Sequence, residues 1–203
     1  NLTGHGESST HVGYTGSAAS ERAAFVGYPS LSVSENISSG NQDGRASIDG
    51  LMSAIYHRHA FLAFDYDEIG IGTASYDGER QAWVYNMGNS HKRALCQGEP
   101  FTGSGRYYHG VCTPDIHIAA EDFEDAEARL QDANPTLVVW PPVDGQDIPP
   151  AFFEESPDPL PDYSVSGYPV SVLFNPYDVQ TAGVSRFEIY RVANDTKIDH
   201  TLL

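Results

Sequence analysis

Lysine is nearly absent from this chain. Lys92 and Lys197 are the only two, and basic residues total 11 against 28 acidic ones, for a formal charge of −17. Such a surface repels phosphodiester backbones and anionic headgroups, which argues against nucleic-acid binding. The acidity fits a saline environment or simply a well-solvated surface. Long apolar runs are also missing, and none approaches the ~18 residues of a membrane-spanning helix. Cysteine is as scarce as lysine. Cys96 and Cys112 form no CxxC motif, which argues against a thiolate zinc site. Flanked by Gly, Ser and Tyr, the pair suits one disulfide closing a surface loop, with two buried thiols in a reducing compartment as the alternative. No charged-then-apolar leader precedes the first residues, and Asn1 opens abruptly in a loop-like stretch, as expected of a piece of a longer chain.

What is present is enough for a folded protein. Hydrophobic residues make up 40%, and 12 Tyr, 9 Phe and 2 Trp supply bulk for real cores. A length of 203 residues makes two domains the default expectation. Residues 1–16 are rich in Gly, Ser and Thr and read as loop. Residues 17–26 then suit a short helix that Gly27 can end in a left-handed cap. Residues 28–40 read as irregular. From Gly44 to Tyr56 the apolar residues Ile48, Leu51, Met52, Ile55 and Tyr56 follow one face of a 3.6-residue period, with Asp43 as the N-cap. Residues 69–76 and 81–87 flank Asp77-Gly78, the signature of a tight antiparallel hairpin.

After Gly88 the pattern changes. Residues 89–115 hold both cysteines and read as a stapled excursion, followed by an acidic helix over 120–130 with Arg129 near its end. From Thr136 onward the runs 136–140, 169–174 and 185–192 are rich in Val, Phe, Ile and Tyr and separated by Pro-studded turns. They suggest an Ig-like β-sandwich that is incomplete or completed by a strand from elsewhere. The expected organisation is therefore α+β over residues 1–88, a stapled extension with a short helix over 89–135, and an all-β segment over 136–203.

Several motifs fall in a telling order. Glu35-Asn36-Ile37 precedes the amphipathic helix, then come His57, Glu68-Ile69-Gly70-Ile71-Gly72 and a hairpin containing Trp83-Val84-Tyr85. Over His5–Gly88 this resembles the CAP superfamily of cysteine-rich secretory, antigen-five and pathogenesis-related proteins, in its bacterial secreted branch. The resemblance implies an α-β-α sandwich with an antiparallel sheet and a secreted or surface location, and so supports the disulfide. It also implies a binding cleft formed by His5, Glu35 and His57, with His11 as the rival to His5. The family's second acid, expected near Met52-Ser53-Ala54, is missing here, and Asp49 is a poor substitute. The family's first helix has no counterpart after Asn1.

Two imidazoles and a carboxylate are the ligand set of an open catalytic-type zinc site, so His5, Glu35 and His57 could hold zinc or another divalent cation. The alternative is a hydrogen-bonded polar cluster in which Glu35 orients His57. His57-Arg58-His59 has metal-type spacing, but the two rings diverge at a helix end, which leaves His59 to the surface. Residues 65–70 look superficially like a calcium loop, yet Ile69 and Tyr76 occupy positions that require oxygen ligands. Gly103-Ser104-Gly105 lacks a nucleophile elbow, and no nucleophile neighbours Asp115-Ile116-His117. Asn1, Asn36 and Asn194 begin glycosylation-type tripeptides. Phe101, Tyr107 and Tyr108 form an aromatic group on the stapled loop that shields the core or binds a ligand. These features favour a secreted or cell-surface binding module for a small molecule, a lipid or a cell-surface polymer. A metal-dependent extracellular hydrolase acting on peptides or cell-wall polymers is the alternative, and a structural surface protein with a vestigial cleft is the third reading.

Overall fold

The computed structural model describes residues 4–76, 80–153 and 155–202. The first helix, α1 (Ala19–Phe25), starts where the Glu21 carboxylate accepts from the Ser17 and Ala18 backbone N–H groups and the Ser17 hydroxyl. It ends at Gly27, whose φ of +93° takes the left-handed conformation expected of it.

The segment expected to be irregular contains a strand, β1 (Ser34–Ser39). Its inward positions are polar, with Asn36 and Ser38 in place of Val or Ile, so no hydrophobic alternation marks it. Asn36 is buried and donates to the His57 carbonyl at 2.8 Å, while the Ser38 and Ser47 hydroxyls are hydrogen-bonded.

The helix expected over 44–56 is two helices, α2 (Gly44–Ser53) and α3 (Ile55–Phe61), with Ala54 extended between them at φ −82°, ψ 118°. Asp43 caps α2 as expected, accepting from the Ala46 N–H at 2.8 Å. The break has a chemical cause. A continuous helix would bond the Ile55 and Tyr56 N–H groups to the carbonyls four residues back. Both N–H groups instead donate to the Glu155 carboxylate, at 2.7 Å from Ile55 and 3.2 Å from Tyr56. The Met52 carbonyl is claimed by Arg58 Nε at 2.6 Å and by the Tyr168 hydroxyl at 3.1 Å. Leu51 and Met52 are buried as the periodicity requires, whereas Ile48 and Tyr56 are exposed.

The hairpin strands are β2 (Glu68–Tyr76) and β3 (Arg80–Gly88), in antiparallel register from Glu68↔Gly88 to Tyr76↔Arg80. The expected Asp77-Gly78 turn lies outside the described residues. β1 joins the far side of β3, so the sheet order is β1-β3-β2 with β3 central. Leu51, Tyr85 and Met87 form the buried core between sheet and helices, flanked by Ala60, Phe61, Tyr66 and Trp83.

Next come α4 (Ser90–Cys96), the short strands β4 (Tyr107–Tyr108) and β5 (Ile118–Ala119), and α5 (Ala120–Ala133). α5 runs past Leu130 to Ala133, so Arg129 is not in its last turn. Cys96 and Cys112 are joined in a disulfide. It ties α4 to a loop that bridges to Ser30 and bonds Leu31 and Pro29 through the Val111 carbonyl and Thr113 N–H. The remaining strands are β6 (Leu137–Trp140), β7 (Ala151–Phe152), β8 (Ser166–Gly167), β9 (Ser171–Phe174), β10 (Ile189–Arg191) and β11 (Thr196–Ile198). They pair as β6-β9, β7-β8 and β10-β11, and among the described residues no sheet beyond position 136 has more than two strands. At coarse level the architecture is mixed α+β.

Candidate functional site

β1 places Glu35 and Asn36 on opposite sides, because successive strand side chains alternate. Asn36 reaches α3. The Glu35 side chain, only 4% exposed, meets α1 and the opening loop instead. Arg22 Nη2 donates to both carboxylate oxygens, at 2.8 and 2.9 Å, and His5 Nδ1 lies 3.2 Å from Oε1. Arg22 also donates to the Gly16, Ser17 and His5 carbonyls, so one guanidinium fixes the loop against the strand. The His5 side chain remains 58% exposed. Of the two candidate histidines from the opening loop, His5 is the one that reaches Glu35.

His57 has a different partner. Its Nδ1 lies 3.4 Å from Glu155 Oε2, and the Glu155 side chain is 2% exposed. The expected set of His5, Glu35 and His57 is therefore divided into two pairs, His5–Glu35 and His57–Glu155. Among the described residues no group of three His, Cys, Asp or Glu side chains is arranged to hold a metal ion. The physical reason is the strand alternation, which turns Asn36 rather than Glu35 toward α3. Among the described residues Asp49 forms an exposed i,i+4 pair with Arg45. An acid does stand beside His57, but it comes from the Pro-rich stretch after Trp140.

Arg58 carried no functional reading in the sequence. Read as the spacer of a His-x-His motif, it is 0% exposed. Besides the Met52 carbonyl, it donates through Nη1 to the Pro169 carbonyl at 2.8 Å and Ser171 Oγ at 3.1 Å, and it lies over the Tyr168 ring at 5.2 Å. Burial holds its pKa below the ordinary value, opposed by Tyr168 and by the negative charge of Glu155. His59 is exposed at the same helix end. Partial desolvation, then the Arg58 charge, lowers its pKa.

Next to α3 lies a groove of about 1040 Å³. Ile55 and His59 form one side, and Tyr168, Val170, Val172 and Phe174 are among the side chains that make it largely apolar. Ligand sites commonly occupy roughly 300–1,000 Å³ and are apolar with a few polar groups, so this groove has the size and lining of one. No sequence pattern announces it, because α3 contributes Ile55 and His59 to a wall otherwise built from residues 152–202.

The acidic run over residues 65–68 is structural. Asp67 accepts from the Ser90 N–H and hydroxyl at the start of α4, whose N-cap is Asn89, and the Asp65 carbonyl accepts from Asn89 Nδ2. Tyr107 stacks on His117 with ring centres 4.0 Å apart, and Tyr108 packs on Phe123 at 4.3 Å. Asn36 is buried, which removes it as a glycosylation acceptor, whereas Asn194 is exposed. The Asn1 tripeptide lies outside the described residues.

Tyr28 crosses above Gly88, where an added Cβ would come within 2.4 Å of its hydroxyl. The hydroxyl donates to Glu68 at 2.6 Å and accepts from the Asn89 N–H at 3.0 Å, while Arg93 holds the same carboxylate. Burial first, then the hydrogen bond to Glu68, raises the Tyr28 pKa well above its ordinary value of 10.0. The folded state thus holds this proton more tightly than the unfolded chain. Its stabilising effect is complete below about pH 10 and falls as pH rises above that. Tyr28→Phe is expected to flatten the alkaline loss of stability in urea melts taken above pH ~10. Tyr66 and Tyr177, also raised by burial, keep some slope in place. An unchanged slope would contradict this role.

The chain contains a disulfide and, among the described residues, no helix long and apolar enough to cross a membrane. Compared with known proteins, it matches no family model, no curated protein and no solved structure.

Proposed function

We propose that this chain is a secreted or cell-surface binding module of the CAP kind, whose ligand is an apolar or amphiphilic small molecule or lipid, with the β-rich C-terminal segment serving also as spacer or adhesion region. The observation that carries the binding reading is the apolar groove of about 1040 Å³ beside α3. The motif order Glu35-Asn36-Ile37, His57, Glu68–Gly72 and Trp83–Tyr85 supports the CAP kinship, and the disulfide supports an oxidising compartment.

Two features favour binding over hydrolysis. Both Glu35 oxygens are engaged by Arg22 and the side chain is only 4% exposed, so the carboxylate is not presented to a substrate water. His57 and His5 each pair with a different carboxylate, so neither pair alone offers the three protein ligands of a catalytic zinc centre.

Native mass spectrometry after incubation with a long-chain fatty acid and, separately, with a sterol tests the proposal. A stoichiometric adduct on the wild type that disappears in Val172→Asp is the expected result. Absence of an adduct with either probe, or metal-stimulated hydrolysis of peptides or cell-wall polymers, would overturn it.

A further inference from the structure

β2 runs along β3 without a bulge for nine residues, and among the described residues its other edge pairs with no strand. Residues 69–75 are all exposed, including Ile69 at 52% and Ile71 at 60%. An unpaired row of backbone N–H and C=O groups is a template for another strand, and proteins ordinarily blunt such edges with Lys, Pro, bulges or brevity. β2 has none of these, and it exceeds the usual strand length of about 5–6 residues. Its one charged residue, Glu68, is already held by Tyr28 and Arg93.

We propose that β2 is a docking edge for a second copy of this chain, joined strand to strand in antiparallel fashion to make one continuous six-stranded sheet. Self-complementarity singles out this occupant. By register, Ile69, Ile71, Thr73 and Ser75 share the face of Met87, Tyr85 and Trp83, which is the face bearing the core. A two-fold axis perpendicular to the sheet at Gly72 sets Ile71 opposite Thr73, and Ile69 opposite Ser75, of the second copy. The two Ile71 side chains are then diagonal neighbours across the new pair, and each isoleucine packs against Thr73 or Ser75 of the other copy on the face that bears the core. On the other face Gly72 meets Gly72 and Gly70 meets Ala74 of the second copy, so only small groups stand at the centre of the new pair.

Charge points the same way. Antiparallel pairing holds the two Glu68 carboxylates at opposite ends, about 27 Å apart at ~3.4 Å per residue, whereas parallel pairing would bring them side by side. With its sole acid already paired, the edge offers no charge to attract a basic or acidic peptide. Each copy as a whole carries −17, so the two repel at long range. Screening this repulsion strengthens the dimer as salt rises.

Sedimentation velocity from micromolar to millimolar concentration, at low and high salt, tests the proposal. A concentration-dependent doubling of mass is expected, stronger at high salt. Ile71→Lys and Thr73→Lys should each weaken it about tenfold or more, or roughly 1.4 kcal/mol, while melting temperature and circular dichroism stay unchanged. Three results would overturn it: a monomer under every condition, a dimer indifferent to both substitutions, or saturable capture of an extended peptide by a chain that stays monomeric.

Discussion

Arg58→Ala is expected to cost about 3–5 kcal/mol of stability, the range for removing one partner from a buried charged network. For a chain of this length the loss is on the order of 10 °C in Tm. The magnitude follows from what the guanidinium holds together. It is fully buried and donates to the Met52 carbonyl, the Pro169 carbonyl and Ser171 Oγ. Alanine would leave the last two without that donor and open a cavity between α3 and β9. Glu155 would lose its attraction to the Arg58 charge, while its hydrogen bonds to the Ile55 and Tyr56 N–H groups remained. Arg58→Met keeps most of the packed stem and should fall between wild type and alanine, so the pair of variants separates lost volume from lost polarity. Calorimetry provides the measurement. A cost below about 1 kcal/mol for alanine would mean that the Glu155 and Tyr168 hydrogen bonds, with apolar contact, hold the C-terminal segment without help from Arg58.

Loss of the disulfide ranks next. Replacing both cysteines by alanine should cost about 3 kcal/mol, as chain-entropy models give for a loop of this size. Cys112 is itself buried, in a short antiparallel bridge with Ser30, so its surroundings are already ordered by the Leu31–Val111 and Thr113–Pro29 backbone hydrogen bonds. Those bonds should keep the loop near residues 29–31 without the covalent link. The effect is expected to appear as lower global stability with little change in circular dichroism. A reductant should lower the melting temperature of the wild type and leave the double variant unaffected. Equal melting of the reduced and oxidised wild type would show that the crosslink adds nothing to folding.

Much of the local structure was legible because local chemistry determines it. Asp43 caps α2, Gly27 ends α1, and the alternating strands of the hairpin meet in register. β1 was not legible, because its buried positions hold Asn and Ser, which carry no hydrophobic signal. The break at Ala54 was invisible for another reason. The periodicity of Ile48, Leu51, Met52, Ile55 and Tyr56 is sound helical patterning, overridden by one carboxylate distant in sequence.

The site shows the same division. The family resemblance put His5, Glu35 and His57 in one cleft; His5 lies 3.2 Å from Glu35, while His57 pairs with Glu155. Arg22 carried no signal beyond its place in a short helix, and Glu155 none beyond being an acid among prolines. Arg58 was hidden between two more conspicuous histidines. Side chains whose role is to join remote segments leave little trace in local sequence pattern.

The bend at Ala54 has a consequence for vectorial synthesis. Ile55 and Glu155 are 100 positions apart, so the carboxylate that diverts those N–H groups leaves the ribosome long after the residues it reshapes. At ~5–20 residues per second the interval is roughly 5–20 s. Throughout that time the nascent segment around Ala54 has only its own periodicity to follow, and the kink is imposed retroactively by the tail.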